Sequence, residues 1–107
     1  MALDFYANTH AKLIVSSPDS LHFAMQDEFH TQLFAYIKNY PQFKNSFHKF
    51  RDYYADSVVL FAEIQPLIQA LDVIILEQSR CKAEMQQFRN FLNIAYQKNS
   101  NLYIYCD

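Results

Sequence analysis

Glycine does not occur anywhere in this chain of 107 residues, where average usage near 7% would give about seven. Its absence excludes the motifs in which backbone must approach phosphate closely. No P-loop, dinucleotide fingerprint or Gly-rich lid can be written with this chain. Turns that need positive φ must fall to asparagine, the next most tolerant residue. Seven Asn are present, and Asn8, Asn39, Asn99 and Asn101 sit where turns are expected. Tryptophan is missing too, and cysteine is scarce. Cys81 and Cys106 are too few and too far apart to suggest a disulfide framework or a zinc site. Met1-Ala2-Leu3-Asp4 opens without the positive n-region of a signal peptide, and no apolar run approaches the roughly 18 residues a membrane span needs. The chain is therefore expected to stay in the cytoplasm, without a membrane partner. A surplus of positive charge is also lacking. Nine basic against eleven acidic residues leave a net charge of −2, so no basic field marks a general nucleic-acid binder.

What is plentiful is aromatic. Ten Phe and eight Tyr make up 17% of the chain, which calls for a crowded aromatic core, an aromatic binding face, or both. Apolar residues at 51% and charged residues at 19% exclude disorder by low hydrophobicity and high charge. The length suits one domain, 1–107, without linkers, repeats or low-complexity runs.

Leu3-Asp4-Phe5-Tyr6 and Lys12-Leu13-Ile14-Val15-Ser16 are short β-rich runs, which predict a hairpin with Asn8 in its turn. Ser17-Pro18-Asp19 supplies an N-cap, a proline at the first helical position and an acid in the first turn. From there Leu21, Met25, Phe29, Leu33, Tyr36 and Tyr40 recur at helical spacing, and Pro41 ends the helix. Phe43, Phe47, Phe50 and Tyr54 form a second stripe. The beginning of Ser57 to Ala62 fits an extended run. Pro66 is harmless in a first helical turn, so a third helix is expected to start near Ala62 or Glu63, with Ile64, Leu67, Ile68, Leu71, Ile74 and Ile75 as its apolar face. Periodicity leaves residues 73–76 open between helix and strand. Ser79 caps a last helix with the stripe Cys81, Met85, Phe88, Leu92 and Ala95. Asn99-Ser100-Asn101 turns into a closing strand, Leu102 to Cys106. The expected fold is α+β, about four helices packed on a small three-stranded antiparallel sheet in the order β-β-α-α-α-α-β. An all-α bundle is the alternative.

Residues suited to chemistry are present but not convergent in sequence. On the expected helix His22, Gln26 and His30 share a face, yet Gln26 is a poor ligand where a metal site wants His or carboxylate. Neither cysteine has the neighbouring base that activates a nucleophile. Asp52 and Asp56, one helical turn apart, and Asp27-Glu28 are carboxylate pairs of the kind that more commonly form solvated faces. No enzymatic activity, catalytic residue, metal or cofactor is expected.

Charge distribution is more informative. Residues 38–51 contain Lys38, Lys44, Lys49 and Arg51 and no acid, whereas residues 52–77 contain Asp52, Asp56, Glu63, Asp72 and Glu77 and no base. The basic segment, interleaved with aromatics, fits single-stranded nucleic acid. The acidic one fits a basic protein partner. Two solvated faces of one globule are the plain alternative to both. Tyr6, Tyr53, Tyr103 and Tyr105 flank apolar neighbours and are expected half exposed, and tyrosine is favoured at interfaces for its large contact area with few rotors.

Taken together, Leu3-Asp4-Phe5-Tyr6, Lys12 to Ser17, Asp52-Tyr53-Tyr54-Ala55-Asp56, the Glu63…Pro66…Leu71 helix start and the terminal Tyr103-Ile104-Tyr105-Cys106-Asp107 form an arrangement with a known counterpart. It resembles the small bacterial immunity proteins encoded beside polymorphic or contact-dependent growth inhibition toxins. The resemblance implies a cytoplasmic protein that binds the C-terminal domain of a cognate toxin and blocks its active site. Many such toxins are nucleases with basic surfaces, which suits the acidic segment. On charge and exposure, the expected partner-binding residues are Asp52, Tyr53, Asp56, Glu63, Asp72 and Glu77. A protein-interaction adaptor or regulator is the alternative function, and a small single-stranded nucleic-acid module the next.

Overall fold

Alternation organises the first strand. Leu3, Phe5 and Ala7 are buried, while Asp4, Tyr6 and Asn8 between them are not, the period of two that a half-buried strand shows. The computed structural model describes residues 2–8, 21–52, 55–77 and 80–106. It comprises β1 (Ala2–Asn8), β2 (Leu21–Gln26), α1 (Asp27–Ile37), α2 (Lys44–Phe47), β3 (Ser57–Val59), α3 (Phe61–Glu77), α4 (Lys82–Gln97) and β4 (Asn101–Cys106). Short 3₁₀ turns, Pro41–Phe43 and His48–Phe50, flank α2. The fold is α+β, as expected, but its antiparallel sheet has four strands rather than three, in the order β2-β1-β4-β3. Ser57–Val59 pairs with β4, which makes the element order β-β-α-α-β-α-α-β instead of β-β-α-α-α-α-β.

Leu21–Gln26 departs from expectation. It is a strand, paired with β1 from Ala2↔Gln26 to Ala7↔Leu21, rather than the start of a helix. Leu21, Phe23 and Met25 alternate with His22, Ala24 and Gln26, so the same residues satisfy both periods. Pairing along the whole of β1 decides between them. The helix begins at Asp27 with Asp27 and Glu28 in its first turn, where acids suit the dipole. Consequently His22 and Gln26 share no helical face with His30. Asn8 is itself a strand residue, opposite Asn101. The expected strand Lys12–Ser16 and the Ser17-Pro18-Asp19 cap lie outside the described residues, as do Tyr54 and Ser79.

The Phe43 stripe is not one helix but 3₁₀, α and 3₁₀ turns in succession, with Phe47 and Phe50 fully buried. Helix α3 begins at Phe61, just before the expected start at Ala62 or Glu63, which leaves Pro66 in its second turn. Its N-terminus is held by two side chains. Glu63 accepts from the Leu60 N–H at 2.7 Å, the returning half of a capping box. Asn101, from β4, accepts from the Phe61 N–H at 2.8 Å. Residues 73–76 are helical. Left-handed backbone falls on Asn99 (φ 53°), as the missing glycine requires, and on Cys81 (φ 55°), the N-cap of α4.

The core lies between the inner sheet face and the helices. Phe5 is its centre, with ring centroids 5.2 Å from Phe88 and 5.3 Å from Phe50, both edge-on. Edge-on aromatic contacts of this kind add roughly 0.5–1.5 kcal/mol each beyond area burial. His30 is part of this interior. It is buried against the Phe34 ring, with Nε2 2.8 Å from the Phe50 carbonyl to which it donates.

Candidate functional site

The sheet's second face carries the other half of each alternation. In register across the four strands run His22, Tyr6, Tyr103 and Val58. The adjacent row is Ala24, Asp4 and Tyr105. Tyr6 stands 4.7 Å from the His22 ring and 6.0 Å from Tyr105. His22 Nε2 lies 2.9 Å from the Asp4 carboxylate, a diagonal cross-strand pair. Val58 and Tyr105 are each 40% exposed. The result is an aromatic platform whose rings are held by neighbours and by a rigid backbone. Such a surface offers apolar area and hydroxyl groups to a partner at little cost in side-chain entropy.

Three of the four tyrosines singled out from sequence, Tyr6, Tyr103 and Tyr105, meet on this face, while Tyr53 lies outside the described residues. His22, Asp4 and Val58 were missed as members. The signal for Asp4 was the alternation in β1 and that for His22 the alternation in 21–26, which, paired with β1, puts His22 beside Tyr6.

The acidic residues are not gathered. Asp52 is exposed in the bend after Phe50. Asp52 and Asp56 sit in the connection between Phe50 and β3 rather than one helical turn apart. The Asp56 carboxylate accepts from the Cys106 N–H at 2.7 Å, continuing the β4 ladder past the end of β3. Glu63 pairs with Lys49 at 2.7 Å, Asp72 with Arg89 of α4 at 3.0 Å, and Glu77 accepts from the Tyr40 hydroxyl. On α3, Asp72 lies about half a turn around from Glu63, and Glu77 about 21 Å along the axis. Burial pushes the Glu63 carboxyl up, but the hydrogen bonds from Lys49 and the Leu60 N–H, with the Lys49 and His48 charges, outweigh it. The net pKa is lowered.

The basic segment folds back on itself. Lys38 follows α1, Lys44 opens α2 and Arg51 closes the second 3₁₀ turn, and these three line a groove of about 310 Å³ with Phe34, Ile37 and Pro41. Sequence marked the cations but not the apolar floor between them. A second groove of about 310 Å³ includes Cys81 with Glu28 and Glu84. Burial, then Glu84 and Glu28, raise the Cys81 pKa against the smaller pull of Arg80, so the thiol stays protonated at neutral pH. Among the described residues no group of three or more His, Cys, Asp or Glu is placed to hold a metal ion. No helix among them is long and apolar enough to cross a membrane.

The fold and this face define an α+β protein with a four-stranded antiparallel sheet, helices against one side and an aromatic platform on the other. Compared with known proteins, the chain matches no family model, no curated protein and no solved structure.

Proposed function

We propose that this protein is an immunity protein, a cytoplasmic docking module that seats its aromatic sheet face on a cognate toxin domain and occludes the toxin's active site. The observation that carries the docking half is the registered row His22, Tyr6, Tyr103 and Val58 with Tyr105 beside it. Large, preorganised aromatic surfaces are where binding energy concentrates in protein interfaces. Asp4 lies within this face, and Asp56 adjoins the β3 edge. Both would suit a basic partner. Asp52, Glu63, Asp72 and Glu77 are dispersed over α3 and its approach, with Glu63, Asp72 and Glu77 already met by Lys49, Arg89 and Tyr40. They belong to the proposed interface by their place in the acidic segment. Tyr53, in the same stretch, belongs to the proposed interface by sequence. The toxin-neutralising half rests on the resemblance of the chain's arrangement to small immunity proteins.

The test is capture of the protein's partner, followed by expression of the captured domain alone and together with this chain. The proposal expects a domain that arrests growth alone, is silenced by the wild-type chain at one-to-one stoichiometry, and regains toxicity beside Tyr6→Ala/Tyr105→Ala. A harmless partner would leave an adaptor and refute the immunity role. Full neutralisation by the double variant would refute the sheet face as the docking surface.

A further inference from the structure

We infer that the groove lined by Phe34, Ile37, Lys38, Pro41, Lys44 and Arg51 is a binding site for a small organic phosphate, one phosphate monoester carried on an apolar or aromatic body. The argument begins with charge. Of the cations among the described residues, Lys49 and Arg89 are engaged by Glu63 and Asp72. Among the described residues, no carboxylate lies within ion-pair distance of Lys38, Lys44 or Arg51. They nonetheless line one groove, and no acid among the described residues lines it with them. Three like charges around one cavity repel each other and are stabilised by a multivalent anion placed between them. In a chain with more acids than bases, leaving this cluster unmatched is a local conflict of the kind that functional sites carry.

The floor supplies the second half. Ile37 is buried, and Phe34 is held by Phe50 at 5.8 Å and Phe47 at 6.3 Å, both edge-on, and by the His30 ring at 4.6 Å. Pro41 fixes the backbone of the turn that joins Lys38 to Lys44. The apolar surface is thus rigid, while the cations that line the groove with it are exposed and on long stems. Arg51 brings a planar fork suited to two phosphate oxygens at once, and the lysines act as point charges. Rim and floor together match an amphiphilic anion better than an inorganic ion. The volume is at the small end of ligand sites, close to a single aryl phosphate.

Size and charge also decide against a polynucleotide. A single strand wants a cationic track with successive stacking rings. Here the next cation along the segment, Lys49, is neutralised by Glu63 at 2.7 Å. Because the groove is built from α1 and the 38–51 segment, on the helical side of the sheet, the inference stands independently of the docking face proposed above.

Phenyl phosphate is the probe, followed by amide and side-chain NMR shifts on the intact chain. We expect saturable movement of the Phe34, Ile37, Lys38, Lys44 and Arg51 signals with a dissociation constant of about 1 mM or below. Inorganic phosphate alone and benzyl alcohol alone should each bind at least about tenfold more weakly, since each meets half the site. Lys44→Gln/Arg51→Gln should weaken phenyl phosphate about tenfold or more, and Lys38→Glu should do so separately. Both variants change exposed side chains, and an unchanged unfolding midpoint verifies the fold. Absence of saturation, or equal affinity in both variants, overturns the inference. So does a short single-stranded oligonucleotide that binds through the same residues at least about tenfold more tightly than the probe, which would assign the groove to nucleic acid.

Discussion

The two faces of this sheet are written in the same strands, one residue apart, and they do different work. On β1 the odd positions Leu3, Phe5 and Ala7 are buried, and the even positions Asp4 and Tyr6 look the other way. On β4 the pattern repeats, with Leu102 and Ile104 inward and Tyr103 and Tyr105 outward. The inner face is aliphatic and phenylalanine-rich and touches helices. The outer face has tyrosine, histidine and aspartate in register. Along these strands, hydroxyl-bearing aromatics stand where water or a partner can reach them, while Phe faces the interior; the buried tyrosines among the described residues, Tyr36 and Tyr40, lie off the sheet. A one-residue slip in register would exchange the two sets. The register therefore positions the proposed docking surface as much as the core does.

The comparison breaks most visibly at Phe5. Phe5→Ala removes the ring at the centre of the aromatic cluster and should cost about 3–5 kcal/mol, read as a lowered denaturation midpoint at unchanged slope. A loss below about 1 kcal/mol would mean the inner face is not the principal core. On the outer face the prediction is reversed. Tyr6→Ala/Tyr105→Ala should change stability by less than about 1 kcal/mol per site but weaken the captured partner by about tenfold or more, measured by titration calorimetry. Equal losses in stability and binding would show that the two faces are not separable.

A smaller effect sharpens the link between sheet and helix. Glu63→Gln keeps an acceptor for the Leu60 N–H but loses the Lys49 ion pair, which is partly exposed, so the cost at neutral pH should be at most about 1 kcal/mol. Because the Glu63 pKa is lowered in the folded protein from its ordinary 4.5, its contribution is present above that value. It is lost as pH falls through the folded pKa. The gap between wild type and Glu63→Gln in urea melts should thus be constant near neutrality and close under acid. A gap that widens under acid would refute the assignment. The smallest effect belongs to Ser57, whose buried hydroxyl has no hydrogen-bond partner among the described residues. Ser57→Ala should be neutral or stabilise by up to about 1 kcal/mol, and a clear destabilisation would reveal a partner to that hydroxyl.

The sequence was legible where one period dominated. The α+β class, the closing strand, the stripe Met85, Phe88, Leu92 and Ala95, and the asparagine turn at Asn99 all follow from local spacing or from the want of glycine. Residues 21–26 were not, because Leu21 and Met25 continue the spacing of Phe29 and Leu33 into a true helix. Only pairing with β1, remote in neither space nor sequence but silent in both periods, selects the strand. The Phe47 and Phe50 stripe is real as burial, yet successive 3₁₀ turns interrupt the helix that spacing implied. For the candidate site, the tyrosines were legible as half-exposed residues. Their union into one platform was not, since register across four strands is a long-range property. The acids were legible as a run in sequence, but α3 distributes Glu63, Asp72 and Glu77 around and along its axis.

One consequence of the strand order concerns time rather than energy. β4 lies between β1 and β3 and joins residues as distant as Leu3 and Cys106, while its Asn101 holds the first turn of α3. The helices and the β1–β2 pair can form from nearer contacts, but the four-stranded sheet waits for β4 to close on β1 across residues 3–106, and high contact order makes such closures slow. During synthesis β1 and β3 emerge long before the strand that separates them. The platform that carries Tyr6 and Tyr103 therefore comes into existence only once β4 has left the ribosome, so a nascent chain would acquire its helical stripes well before it acquired the surface proposed to meet a partner.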